Sequence, residues 1–186
     1  MRIDEYDPNC DGCKISQGHK EVTGKLVIEM DGGWTLNHYG GGEGFLGWLA
    51  LQPRYHRMEL ADLTEREAAF LGPNIQRIDL ALRQYWSIRF DADPIERVYV
   101  VYFLEGVFAK PNPSPYHLHV HLIPRTRRFD PLLRKDNGST STIIAWNIYQ
   151  LVECQDFPEE YRIKGVNKQY TENLMAYLKS SLWKSS

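Results

Sequence analysis

The sequence predicts an α+β fold. Three observations carry that expectation: apolar segments cut by Gly and Asp clusters between Gly24 and Pro53, a helical period from Thr64 onward, and two further strand-like segments at 97–104 and 116–125.

Near the start, Cys10, Asp11, Gly12 and Cys13 form a C-x-x-C. Pro8 and Gly12 favour a tight turn that brings two thiols together, and the polar upstream residues do not supply the strand that a redox motif expects. Zinc is therefore preferred over thiol redox chemistry, although a closed zinc site needs two more ligands. Three cysteines are too few for a disulfide framework, and Cys154 reads as an ordinary core thiol.

GKLVIEM (24–30), WTLNHY (34–39) and FLGWLALQP (45–53) read as strands. Asp31-Gly32-Gly33 reads as a hairpin turn. The GGGEG loop at 40–44 reads as a flexible connection, because it lacks the Lys-Ser/Thr that a phosphate-cradling loop requires. Thr64-Glu65-Arg66-Glu67 is a capping-box pattern, and Leu71, Ile75, Ile78 and Leu82 recur at helical spacing. They predict a long amphipathic helix, kinked or split near Gly72 by Pro73. The run VYVVYFL (98–104) alternates valines and aromatics on both faces, as a central strand covered on both sides does. Pro111, Pro113 and Pro115 stiffen the next connection and hold Lys110, Asn112 and Ser114 at a strand end. Helical patterns return at 141–154 and 171–182.

A chain of 186 residues fits one domain with a C-terminal extension. Its 22 Lys and Arg against 24 Asp and Glu lack the basic excess that non-specific nucleic-acid binding needs. The opening MRIDEYDPNC has no apolar core of a signal peptide, and the longest apolar run is too short to span a bilayer. A cytoplasmic protein is expected, without a membrane or nucleic-acid partner.

The most informative stretch is YHLHVHLIPR at 116–125. On a strand, His117, His119 and His121 share one face while Leu118, Val120 and Leu122 share the other. A desolvated row of imidazoles resists protonation and is a poor way to build stability. Neutral rings suit either metal binding or attack on phosphorus. Convergence of all three on one catalytic ion is disfavoured, since rings at i, i+2 and i+4 span about 13 Å along the backbone. Arg127 and Arg128, just past this strand, either approach a phosphate or face water.

The run HLHVHLI resembles the signature of the histidine triad family, in which three histidines alternate with apolar residues. CDGCKI resembles that family's N-terminal zinc-knuckle region, and LALQPRYHRMELADLT resembles its strand, P-x-x-H turn and helix start. LEG precedes the triad, as in the family. The likeness covers about residues 8–125. Residues 1–125 are accordingly read as a catalytic domain of this type, and 126–186 as a partly helical extension packed on the same domain.

The resemblance implies an antiparallel sheet with a long packed helix, commonly in a homodimer. It implies a nucleotide hydrolase or nucleotidyltransferase acting at the α-phosphate of a nucleoside phosphoanhydride or phosphoramidate, through a nucleotidyl-histidine intermediate on His119. His121 would hydrogen-bond phosphate oxygens and Ser114 would assist the leaving group. No divalent cation is required for that chemistry if donors neutralise the transition-state charge. A different reading is a nucleotide-binding or interaction module of the same fold that turns nothing over. Some branches hold structural zinc with residues that here are Cys10, Cys13, His56 and His117. Asn37 matches the residue that binds ribose hydroxyls, and Ile15, Leu36 and Trp48 are wall candidates for the base, with core packing favoured for Trp48. Where the family often has Asn before the E-G, this chain has Leu104, which leaves the leaving group open.

Overall fold

The computed structural model describes residues 6–40, 45–102, 115–129, 159–162 and 168–183. Strands β1 (Thr23–Met30), β2 (Trp34–His38), β3 (Leu49–Pro53), β4 (Ile95–Tyr102) and β5 (Val120–Thr126) form one sheet in the order β1-β2-β3-β5-β4. Every neighbouring pair is antiparallel. The β1–β2 turn falls at 31–33 as expected, with Gly32 and Gly33 at φ +74° and +85°, a region that costs glycine little.

Helix α2 (Glu65–Arg89) starts in the anticipated capping box. The Glu67 amide donates to Thr64 Oγ1 (3.2 Å), and the Glu67 carboxylate accepts from the Thr64 amide (2.8 Å). Ile78 and Leu82 are fully buried, and Leu71 and Ile75 pack against the core from its edge. The expected split near Gly72 does not occur: α2 runs unbroken through Pro73. Pro73 and Ala69, the residue whose carbonyl loses its helical partner, are both exposed, and the break in the ladder falls on the solvent side of the helix. Helix α3 (Lys168–Trp183) realises the last helical pattern and contributes Leu174, Met175, Leu178 and Leu182 to the same core. The pattern at 141–154 and Cys154 lie outside the described residues. No helix among the described residues is long and apolar enough to cross a membrane.

The reading of 98–104 as a central strand is corrected. Among the described residues β4 lies at the edge of the sheet, and Val100 is 49% exposed. Apolar residues on both faces mimic burial in the sequence, but that pattern cannot say whether another strand of this chain lies alongside. Among the described residues the histidine segment forms ladder pairs only from Val120 onward, so His117 and His119 precede the strand rather than lie on it.

His38, given no role by the sequence, is fully buried at the base of the β2–β3 connection. Its Nδ1–H donates to the Tyr39 carbonyl (2.9 Å), and its Nε2 accepts the Gly47 amide (3.1 Å). Burial pushes this imidazole down from 6.5 to about 4. Because the folded-state value is depressed, the stabilisation is present above pH 6.5 and is lost as pH falls through about 4. The loss reaches roughly 3 kcal/mol at the acid end. The urea-unfolding free energy of His38→Gln is therefore expected to fall less steeply than that of the parent between those pH values. Parallel curves would assign the acid loss to other groups.

Candidate functional site

Four side chains from three separate segments converge on one point. Cys10 caps helix α1 (Asp11–Ser16), Cys13 lies on it, His56 follows β3, and His117 precedes β5. Their ligand atoms all lie within 4.8 Å of one another. His117 Nδ1 is 3.5 Å from both sulfurs, and His56 Nδ1 is 3.4 Å from Cys13 Sγ. A tetrahedral zinc with ordinary Zn–S and Zn–N bonds has S···N edges of about 3.6 Å, so the set matches a closed S2N2 site. The opposite nitrogen of His117, Nε2, donates to the Pro53 carbonyl (2.9 Å), which fixes the tautomer that leaves Nδ1 as the ligand atom. Burial pushes His117 down to about 4 and the Cys13 thiol up to about 11, so the thiol must release its proton when a cation binds.

The local structure around the cysteines differs from the sequence expectation. A helix begins at the motif, where a turn was expected, because Asp11 favours the first helical turn and Gly12 is tolerated there. Gly12 is needed for a different reason: a Cβ at this position would lie 2.3 Å from Cγ of His117. The helix is pinned to the sheet by Ser16, whose hydroxyl donates to Pro53 O, and by Gln52 Nε2, which donates to Ser16 Oγ (2.8 Å) and Gly12 O (3.2 Å).

Arg57 ties this cluster to α2. Its guanidinium pairs with Glu67 at 3.0 Å, with both side chains buried, and also donates to the His56 carbonyl. The Arg57 carbonyl accepts the Leu118 amide at 2.7 Å. One residue thus joins the His56 turn, the start of α2 and the histidine segment. Sequence reading missed it because nothing local distinguishes Arg57 from a surface arginine.

His119 and His121 stand beside the cluster with ring centroids 4.7 Å apart and planes at 87°. His119 Nδ1–H donates to the His117 carbonyl (2.8 Å), which leaves the Nε2 lone pair as its reactive atom. His121 Nδ1 accepts from the Trp48 indole N–H (2.9 Å). Burial lowers both rings, His121 to about 3, so they stay neutral. Trp48 is a core residue, and nothing local in the sequence marks its hydrogen bond to His121.

A cavity of about 410 Å³ opens beside His119, lined by Ile15, Val22, Asn37, Tyr39, His117 and His119 among others, while His121 is buried and not on its wall. Asn37 is 5% exposed; its amide donates to the His38 carbonyl while its Oδ1 has no hydrogen-bond partner. Ile15 lines this cavity. Leu36 does not: it is fully buried in the core between Ile28 and Leu51, because neighbours on β2 alternate faces and Asn37 takes the cavity side. Ser114 lies outside the described residues, as do Leu104, Pro111 and Pro113. Arg127 pairs with Glu96, and Arg128 lies over Tyr161, both at the far end of β5 from the histidines, so neither approaches them.

No protein-family model and no curated protein matches the sequence. Solved structures do match the fold. A zinc-bound histidine triad family protein from Mycobacterium smegmatis gives a TM-score of 0.54 at 16% identity, covering 95% of this chain and 97% of that one. A hypothetical histidine triad nucleotide-binding protein from Sulfolobus tokodaii strain7 gives 0.54 at 18% identity over 94% and 93%. A Hit-like protein involved in cell-cycle regulation from Bartonella henselae gives 0.52 at 15% identity over 95% and 99%. All three share the architecture described above.

Proposed function

We propose that this chain, which has the histidine triad fold, is a nucleotide hydrolase or nucleotidyltransferase acting at an α-phosphate through a nucleotidyl intermediate on His119. The observation that carries this reading is the oriented His119, whose Nε2 lone pair is kept neutral beside a cavity of nucleoside size. In the first step the Nε2–phosphorus bond forms as the bond from phosphorus to the leaving oxygen or nitrogen breaks, with Ser114 assisting the leaving group. Water or another acceptor then displaces His119. His121 donates to the phosphoryl oxygens as charge develops on them.

Asn37 is assigned to the ribose. A buried acceptor without a partner is destabilising, and a ribose hydroxyl is the donor that satisfies it. Asn37→Ala is expected to raise KM about tenfold for ribonucleotides and hardly at all for 2′,3′-dideoxy analogues. Equal effects on both would remove Asn37 from the ribose site. Cys10, Cys13, His56 and His117 would hold zinc, which supplies a structural cross-link between α1, the His56 turn and the histidine segment. For a homodimer the support is β4, which lies at the sheet edge among the described residues and carries the exposed Val100.

A panel of mono- and dinucleoside phosphoanhydrides and phosphoramidates, followed by chromatography, tests the activity. Release of a nucleoside monophosphate is the expected result. Saturable nucleotide binding with no product from any substrate would favour the module that binds without turnover.

A further inference from the structure

Two neighbouring imidazoles of the site receive opposite instructions from their partners. His119 Nδ1 faces a backbone carbonyl, which can only accept, so its proton sits on Nδ1. His121 Nδ1 faces the Trp48 indole nitrogen, which can only donate, so a neutral His121 carries its proton on Nε2. The rings therefore differ in which nitrogen is bare, although they are 4.7 Å apart on the same segment.

The setting of Trp48 makes its hydrogen bond hard to rearrange. Trp48 and His121 are 0% and 1% exposed. Tyr39, on the cavity wall, stacks on the indole at 4.8 Å and 24° and meets His121 edge-on at 5.0 Å. The Tyr39 amide donates to the Trp48 carbonyl at 2.8 Å, which holds the two residues together through the main chain as well. A hydroxyl, a carboxamide or another imidazole at position 48 could turn round and accept. An indole cannot, and it does not titrate.

We infer that Trp48 is a positioning residue that locks His121 in the Nε2–H tautomer, and so fixes which triad imidazole donates to a phosphoryl oxygen and which attacks phosphorus. Trp48 itself touches no substrate and exchanges no proton. The lock stands on the hydrogen bond alone; its effect on turnover rests on the nucleotidyl-transfer reading above.

The test is a two-bond 1H–15N correlation spectrum of 15N-histidine-labelled protein, with His121 assigned by substitution, together with steady-state kinetics of Trp48→Phe. Phenylalanine keeps an aromatic ring against Tyr39 and removes only the donor and part of the indole. In the parent, His121 is expected to show a protonated Nε2 and a bare Nδ1; a protonated Nδ1 overturns the inference. In Trp48→Phe the Nδ1–H form should appear, and kcat should fall about 10- to 100-fold with KM changed less than about threefold. A fall in kcat with the tautomer unchanged, or a changed tautomer with kcat unchanged, overturns the link to function. If Trp48→Phe does not fold, the parent spectrum alone decides the tautomer. If the parent turns over no nucleotide, the functional reading fails, while the same spectrum still decides the lock.

Discussion

On the proposed nucleotidyl-transfer reading, replacing His119 with Ala is expected to lower turnover by about 10⁴-fold or more while leaving the fold, any zinc content and nucleotide affinity unchanged. Covalent catalysis divides a difficult displacement at phosphorus into two easier ones, and neither other histidine of the segment is placed to stand in for the lost nitrogen. His121 already accepts the Trp48 N–H at Nδ1, and His117 has both nitrogens engaged, one toward the cysteines and one on Pro53 O. The structural effect is small because the half-buried His119 ring makes one neutral hydrogen bond, worth about 1 kcal/mol. Steady-state rates and a thermal melt on the same sample check both halves. Retention of more than about a tenth of the parent's kcat would remove His119 from the chemistry.

The second large effect is expected from the metal cluster. If Cys10, Cys13, His56 and His117 hold zinc as proposed, Cys13→Ala removes one of its four ligands and leaves three polar atoms without a shared cation. Zinc content should fall from about one equivalent to less than a tenth, and stability by about 4 kcal/mol, which corresponds to roughly 10 °C in Tm for a chain of this size. Catalysis should suffer as well, because the carbonyl that orients His119 belongs to His117, a residue of the cluster. Metal analysis and calorimetry decide it. Metal-free parent protein whose Tm does not respond to chelator would show that Cys10, Cys13, His56 and His117 only hydrogen-bond one another.

The sequence made legible what depends on short spacing or on chemically distinctive residues. The capping box at Thr64, the helical period through Leu82 and the turn at Gly32-Gly33 are local, and each appears where expected. Cys10, Cys13, His56 and His117 are far apart in the chain, yet their residue types advertised a shared site, and the fold brings them together. What depended on the partner across a gap was not legible. β4 has the composition of an inner strand and, among the described residues, lies at the edge; Leu36 is a plausible wall residue but faces the core, since the side of a strand that meets a cavity is set by its neighbours. Trp48 and Arg57 carry no local mark of their roles. An indole at the start of a strand and an arginine in a turn acquire those roles only through His121 and Glu67, which lie 73 and 10 residues away in sequence.

The central claim is that phosphorus becomes bonded to His119. Mixing the protein with adenosine phosphoramidate, quenching within a turnover under alkaline conditions that preserve a phosphorus–nitrogen bond, and sequencing the peptides by mass spectrometry tests this directly. The account predicts one adenylyl group per chain on the peptide carrying His119, and none in His119→Ala. Steady turnover with no adduct at any quench time, or an adduct that persists in His119→Ala, would contradict it.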